Sequence, residues 1–208
     1  LYPKISATKA DIFGINSNSP YCLFNYEKGI IMSLINILVA VNATELAERL
    51  GDGSMKPGSV GSPTNLGAWG GSDVFVSMIT QNSYIASNQG GSELDVKANS
   101  GDTVRWTVST FDGDTDYTAF LYSGSFTPSA SITALSYFNM HTSVYLPSGS
   151  DPVNGTLQLF HNNAYATQGT VIEPGQKIQY TLSFKLVNNS TGAIIGYFTW
   201  DPFISISN

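Results

Sequence analysis

The sequence predicts an all-β fold, an antiparallel two-sheet β-sandwich of Greek-key or jelly-roll type, with one short helix near residues 43–50. Three observations carry this expectation. Apolar and polar residues alternate with period two in run after run, most clearly in IQYTLSFKLV, where Ile178, Tyr180, Leu182, Phe184 and Leu186 alternate with Gln179, Thr181, Ser183 and Lys185. Clusters such as NSGD and NNSTG break these runs at the short intervals that turns require. A helical reading is clear at one place, NATELAERLGDG. The 208 residues suit a single domain large enough to fill its own interior.

Residues 1–31 scatter Tyr2, Tyr21, Phe24 and Tyr26 among turn formers at neither period. Glu27-Lys28-Gly29 is encoded by GAR-AAR-GGN, which contains the purine run AAGG, and two codons later comes the ATG of Met32. That is the appearance and spacing of a bacterial ribosome-binding site. The expectation is therefore a start at Met32, with 1–31 a translated leader or extension outside the fold and 32–208 a single β-sandwich domain.

The run IIMSLINILVAVNA could be taken for a secretion signal, but no Lys or Arg lies between Met32 and Arg49 and no A-x-A site follows. It is also too short to span a bilayer. Ile35, Ile37, Leu38, Val39 and Val41 read instead as a buried strand. In the helix that follows, Asn42 is the expected cap, Glu45 completes a capping box, and Gly51 supplies a left-handed stop. From Gly51 to Gly71, seven glycines and two prolines predict a long loop whose end Trp69 anchors.

Beyond it SDVFVSMIT places Val74, Val76 and Met78 on one face. SELDVKA places Leu94, Val96 and Ala98 inward with Glu93, Asp95 and Lys97 opposite, and NSGD leads to TVRWTVS, with Val104, Trp106 and Val108 inward. This pair reads as a hairpin. DYTAFLYSG and TLQLFHN add strands, and SITALSYFNMHTSVYL adds one or two more, with Ala134 and Leu135 also compatible with a helical turn. IQYTLSFKLV turns at NNSTG into AIIGYFTWDPFISIS, where Asp201-Pro202 predicts a bulge or strand switch because proline cannot donate to a ladder.

Composition removes several function classes. Fifteen acids against nine bases give a net charge of −6 without a basic cluster, so nucleic acid and anionic membrane are not expected partners. Charged residues are only 12% of the chain, and the surface is expected to be neutral and polar. The single cysteine, Cys22, excludes an internal disulfide framework and suits a reducing compartment.

Motifs for chemistry are equally sparse. G-x-S-x-G is missing, and the histidines, His141 and His161, sit in no recognisable triad or metal pattern. The strand rhythm of SELDVKANSGDTVRW is also that of a cupredoxin, but type-1 copper needs a thiolate, and residues 32–208 hold no cysteine. Asp112, Asp114 and Asp116 have the opening spacing of a calcium loop, yet its glycine is replaced by Tyr117 and its twelfth position is Ser123, so an acidic hairpin tip is the better reading. Trp69, Trp106, Trp200, Tyr122, Tyr137 and Tyr197 are the aromatics from which a sugar-stacking platform could be built. No catalytic residue, metal site or cofactor is assigned, and no ligand-binding residue is identified.

The segments INILVAVNATEL, DVFVSMI, NQGGSELDVKANSGDTVRWTVST, DYTAFLY and YTLSFKLVNNSTGAIIGYFTWDPFI together resemble the PixA/AidA-type bacterial inclusion body proteins, over nearly all of residues 33–208. The resemblance implies a small cytoplasmic protein without established catalytic residues, of a kind that in some members accumulates as crystalline inclusions and in others is controlled by cell density. Inclusion-forming members can be methionine-rich, whereas this chain has four methionines. The leading expectation is a non-enzymatic, self-associating cytoplasmic protein whose partner is itself. The rival is a module that binds a glycan or small ligand through the 51–71 loop, the 112–116 tip and exposed aromatics.

Overall fold

A computed structural model describes residues 32–172 and 177–206. The expected start at Met32, and Cys22 with it, concern residues 1–31 and lie outside the described residues, as does the Trp69 side chain. Strand β1 (Leu34–Val41) buries Ile35, Ile37, Val39 and Val41 but not Leu38, which was expected with them: strand alternation turns it outward with Leu34. Helix α1 (Ala43–Gly51) is capped by the Asn42 side chain, which accepts from the Glu45 N–H at 3.3 Å. The capping box is only half made. The Glu45 carboxylate pairs with Arg49 Nε at 2.6 Å instead of returning to Asn42, whose N–H donates to the Phe75 carbonyl. The left-handed stop is Gly53 (φ 78°) rather than Gly51, which is still helical.

The remaining strands are β2 (Thr64–Asn65), β3 (Val76–Thr80), β4 (Ile85–Ser87), β5 (Asp95–Ala98), β6 (Thr103–Thr110), β7 (Tyr117–Thr127), β8 (Ser136–Pro147), β9 (Leu157–Thr170), β10 (Lys177–Asn188), β11 (Ile194–Trp200) and β12 (Phe203–Ile206). They form a five-stranded sheet in the order β3-β1-β6-β9-β8 and a seven-stranded sheet in the order β2-β11-β10-β12-β5-β4, with β7 on the other edge of β10. The sandwich is all-β as expected, but its sheets are mixed rather than antiparallel throughout. β1 runs parallel to β6, β11 to β2 and β12 to β5. Period-two patterning fixes which face of a strand is buried and is blind to the direction of its neighbours.

The expected hairpin of β5 and β6 is absent for the same reason: β5 pairs with β12 and β4, and β6 pairs with β1 and β9 in the other sheet. NSGD is an arch between sheets. Buried Asp102 knots it, accepting from the N–H groups of Ser33 (2.7 Å) and Asn99 (2.8 Å). The residues placed opposite Leu94, Val96 and Ala98 are not all solvated either, because Glu93, just before β5, and Asp95 within it are each 4% exposed. Asp95 is held by Lys177 Nζ at 2.9 Å and by the Ser205 hydroxyl at 2.9 Å. Val74, expected inward, precedes β3 and is exposed, while Phe75 is buried in its place.

Between the sheets Trp106, Trp200, Tyr180, Phe184 and Phe198 fill the centre. Their polar atoms are matched: Trp106 Nε1 donates to the Tyr180 hydroxyl at 3.2 Å and Trp200 Nε1 to the Ser92 carbonyl at 3.0 Å. Burial pushes the Tyr180 phenol far up, so it stays protonated. At Asp201-Pro202 the structure makes a strand switch without a bulge. β11 and β12 keep one register on β10, Leu182 facing Trp200 and Gln179 facing Phe203, while the neighbour on the far side changes from β2 to β5. The 51–71 loop is pinned to β11 by the bond from Tyr197 N–H to the Pro57 carbonyl (2.7 Å). Gly58 (φ 63°) makes that approach, and a Cβ there would stand 2.7 Å from both Thr64 N and the Tyr197 carbonyl oxygen.

Candidate functional site

The long antiparallel ribbon of β8 and β9 is the part of the fold whose surface the packing does not explain. The two strands stay in register from Ser136 facing Gln168 to Pro147 facing Leu157 without a shift. β6 engages β9 only at Ala166–Thr170. Asn139–Pro147 and Leu157–Tyr165 therefore extend past the end of that ladder as a two-stranded ribbon, about 30 Å long at the usual rise per residue. Its base is tied down by Arg105, which donates to Gln168 Oε1 from Nε (3.0 Å) and Nη2 (2.8 Å) with its guanidinium 5.4 Å above the Phe138 ring.

Solvated ribbons normally carry charge, and this one does not. From Tyr117 to Ile172 the chain has a single charged side chain, Asp151. It sits in the turn joining β8 to β9, where its carboxylate accepts from the N–H groups of Val153 and Asn154 (both 3.0 Å). Nine of the eighteen exposed large apolar side chains among the described residues lie between Tyr137 and Tyr165. The cross-strand pairs Val144–Phe160, Tyr145–Leu159 and Pro147–Leu157 put apolar groups on both faces of the ribbon. Tyr145 is 64% and Leu157 60% exposed.

The other sheet edges are guarded. Outside β3, Met78 exchanges backbone bonds with Gly90 and Gly91 (2.9 and 3.0 Å), and Gln89 caps Thr80. β2 has two residues and β4 three. β7 is broken by a bulge that leaves Tyr122 unpaired between Leu121 and Ser123. β8, twelve residues long, has neither bulge nor charge. Long, flat, uncharged edges of this kind are the ones that recruit another chain.

The residues singled out from the sequence do not converge. His141 and His161 are exposed on the ribbon, two rungs of neutral side chains around them: His141 faces Asn163, and His161 Nδ1 is 3.1 Å from the Ser143 hydroxyl opposite it. Asp112 and Asp114 are turned back onto their own loop. Asp112 bonds the Thr110 hydroxyl and accepts from the Asp116 N–H (2.8 Å), while Asp114 accepts from the Thr110 N–H (3.0 Å) and the Ser109 hydroxyl (3.1 Å). Burial raises the Asp112 carboxyl pKa, but these bonds and one from the Tyr117 N–H outweigh it, and the net shift is downward. Among the described residues, no group of three or more His, Cys, Asp or Glu side chains is placed to hold a metal ion.

Trp106 and Trp200 belong to the core, Tyr137 to the ribbon, and Tyr122 and Tyr197 pack edge to face at 5.8 Å on the seven-stranded sheet, where the Tyr122 hydroxyl donates to the Val60 carbonyl at 3.2 Å. Among the described residues, the expected aromatics thus form no single platform. Where β9 leaves β6, a notch of about 380 Å³ opens, with Val108, Asp114, Thr118, Asn162 and Tyr165 among its lining, and neither histidine reaches it. What sets the ribbon apart is an exposed apolar surface with almost no charge. Its signal was present in the sequence as the span 117–172, charged only at Asp151, which a search for reactive side chains passes over.

The family model described as "PixA: Inclusion body protein" matches residues 33–206. Among solved structures, the crystal structure of the inclusion body protein (PixA) from Burkholderia cenocepacia J2315 is similar over 87% of this chain and 99% of its own, with 16% identity and a TM-score of 0.62. At that identity it speaks to the fold. The solution structure of amebosin aligns over 61% of this chain and 93% of its own at 10% identity and a TM-score of 0.26, too low to bear on either fold or function. No curated protein matches the chain.

Proposed function

Since this chain belongs to the PixA inclusion body protein family, we propose that it is a non-catalytic cytoplasmic protein whose activity is association with further copies of itself, and that the β8–β9 ribbon is the surface through which copies meet. The observation that carries this reading is the coincidence, on one element, of exposed apolar side chains, missing charge and a strand edge that no other described residue pairs with. Apolar patches of this extent on a soluble domain mark interaction sites. The rest of the molecule agrees: acidic side chains concentrate outside the ribbon, so copies bearing the same net charge meet with least opposition where charge is missing. Among the described residues no helix is long and apolar enough to cross a membrane.

Sedimentation velocity over a concentration series, with electron microscopy of expressing cells, tests the proposal. The wild-type protein is expected to associate with rising concentration. A Tyr145→Lys/Phe160→Lys double variant, which charges both faces of the ribbon, is expected to stay monomeric with an unchanged circular dichroism spectrum. A monodisperse wild-type monomer at high concentration, or association indifferent to the two lysines, would reject it.

A further inference from the structure

We infer that the second copy docks edge to edge, β8 against β8, antiparallel across a two-fold axis that passes beside His141, joining two five-stranded sheets into one ten-stranded sheet. The inference rests on the self-association reading above and adds its geometry. The backbone fixes which residues are free to pair, and symmetry about their middle member selects the register. Ser148 N–H donates to the Thr156 carbonyl at 2.7 Å, continuing the β8–β9 ladder by one even-numbered rung of β8. Bonding alternates residue by residue in an antiparallel pair. Even residues of β8 therefore bond β9, and Tyr137, Asn139, His141, Ser143 and Tyr145 turn their N–H and C=O groups to the open edge.

A two-fold axis maps this set onto itself about its middle member. His141 then faces His141 of the second copy, Asn139 faces the second copy's Ser143, and Tyr137 faces the second copy's Tyr145. All five residues become bonded rungs, and each outward N–H meets an outward carbonyl. The terminal rungs bring aromatic rings together, which adds to the stability of strand pairs. Nothing along the edge opposes the approach: no residue from Ser136 to Pro147 is charged, the ladder carries no bulge, and proline enters only at the tip end. An isologous contact of this kind supplies both partners from one sequence.

Disulfide trapping tests the register directly, in a Cys22→Ser background that removes the chain's single cysteine. At a bonded antiparallel rung the Cα atoms lie about 5.5 Å apart, within disulfide reach. His141→Cys is therefore expected to cross-link to itself under mild oxidation. Tyr137→Cys and Tyr145→Cys should each fail alone, since identical positions would be about 27 Å apart, and cross-link when mixed. Ser143→Pro removes an outward N–H that the monomer does not use, and His141→Lys sets two like charges beside the axis. Each is expected to weaken the dimer at least tenfold while the circular dichroism spectrum is retained.

Association that continues without the trapping pattern would overturn the edge geometry and leave the ribbon reading standing. A monomer at every concentration would remove both. Retention of full-strength dimer in both the Ser143→Pro and His141→Lys variants would also overturn the register.

Discussion

Asp112 shows how an acidic side chain that looks like a ligand can serve the backbone instead. Its carboxylate closes the turn between β6 and β7 through the Thr110 hydroxyl and the Asp116 N–H. Burial works against ionisation there, and the hydrogen bonds prevail, so its folded pKa lies below the ordinary value. The sign follows from linkage: a lowered carboxylate pKa contributes stability that is present above the unfolded value, about 4, and lost as pH falls through the folded one. Melting temperatures between about pH 6 and pH 2 are expected to decline on the acid side for the wild-type protein, and Asp112→Asn is expected to flatten that decline while lowering the plateau. An unchanged acid limb would show that the turn does not depend on this carboxylate. In the sequence the calcium pattern fails at two specific positions, Tyr117 and Ser123, and in the structure Asp112 and Asp114 bond within their own loop. A local reading placed Asp95 in solvent, since alternation could not reveal that Lys177 and Ser205, both distant in sequence, would close over it.

For the elements, legibility tracks how local the determining contacts are. The cap of α1 is made within three residues, and Asn42 is legible in the sequence as the side chain that accepts from the Glu45 N–H. Asn42→Ala should cost about 1 kcal/mol, the usual value of an N-cap side chain, and slightly more if the bond from its Nδ2 to the Val74 carbonyl (3.2 Å) contributes. Urea denaturation resolves a change of that size, and a variant as stable as wild type would mean the helix is held by Leu46 and its packing alone. The β10–β11 hairpin was legible because its turn, NNSTG, joins strands that are neighbours in both sequence and space. NSGD has the same turn chemistry, yet the strands it joins lie in opposite sheets, and only the distant partners β1 and β12 distinguish an arch from a hairpin. β9 was recognised for its first half alone. Its continuation through NAYATQGT surrounds Tyr165 with small and polar residues, and what makes it strand is twelve rungs with β8, not its own propensity.

At the scale of the whole molecule, the fold divides labour between a closed body and an open ribbon. The core carries its aromatics with matched polar atoms, three edges are short or covered, and one is bulged, which leaves β8 as the place where the five-stranded sheet can grow. Pairing of two β8 edges closes on itself and would stop at a dimer, because a two-fold contact uses the same surface on both partners. Larger assemblies then need a second contact, and the apolar faces of the ribbon, with Val144 and Phe160 on one side and Tyr145 and Leu159 on the other, remain free to stack after the edges have joined. Both proposed contacts would bring together uncharged surface on chains of net charge −6, so the long-range force between copies would be repulsive and the short-range force would not. Salt separates the two: the Debye length is about 30 Å at 0.01 M and about 3 Å at 1 M, so added salt screens repulsion between the bodies and leaves backbone pairing and apolar burial in place. Sedimentation equilibrium across that range is expected to show association strengthening as sodium chloride rises. Weakening with salt would mean that opposite charges hold the copies together, and the contact would then have to lie on the charged body rather than on the ribbon.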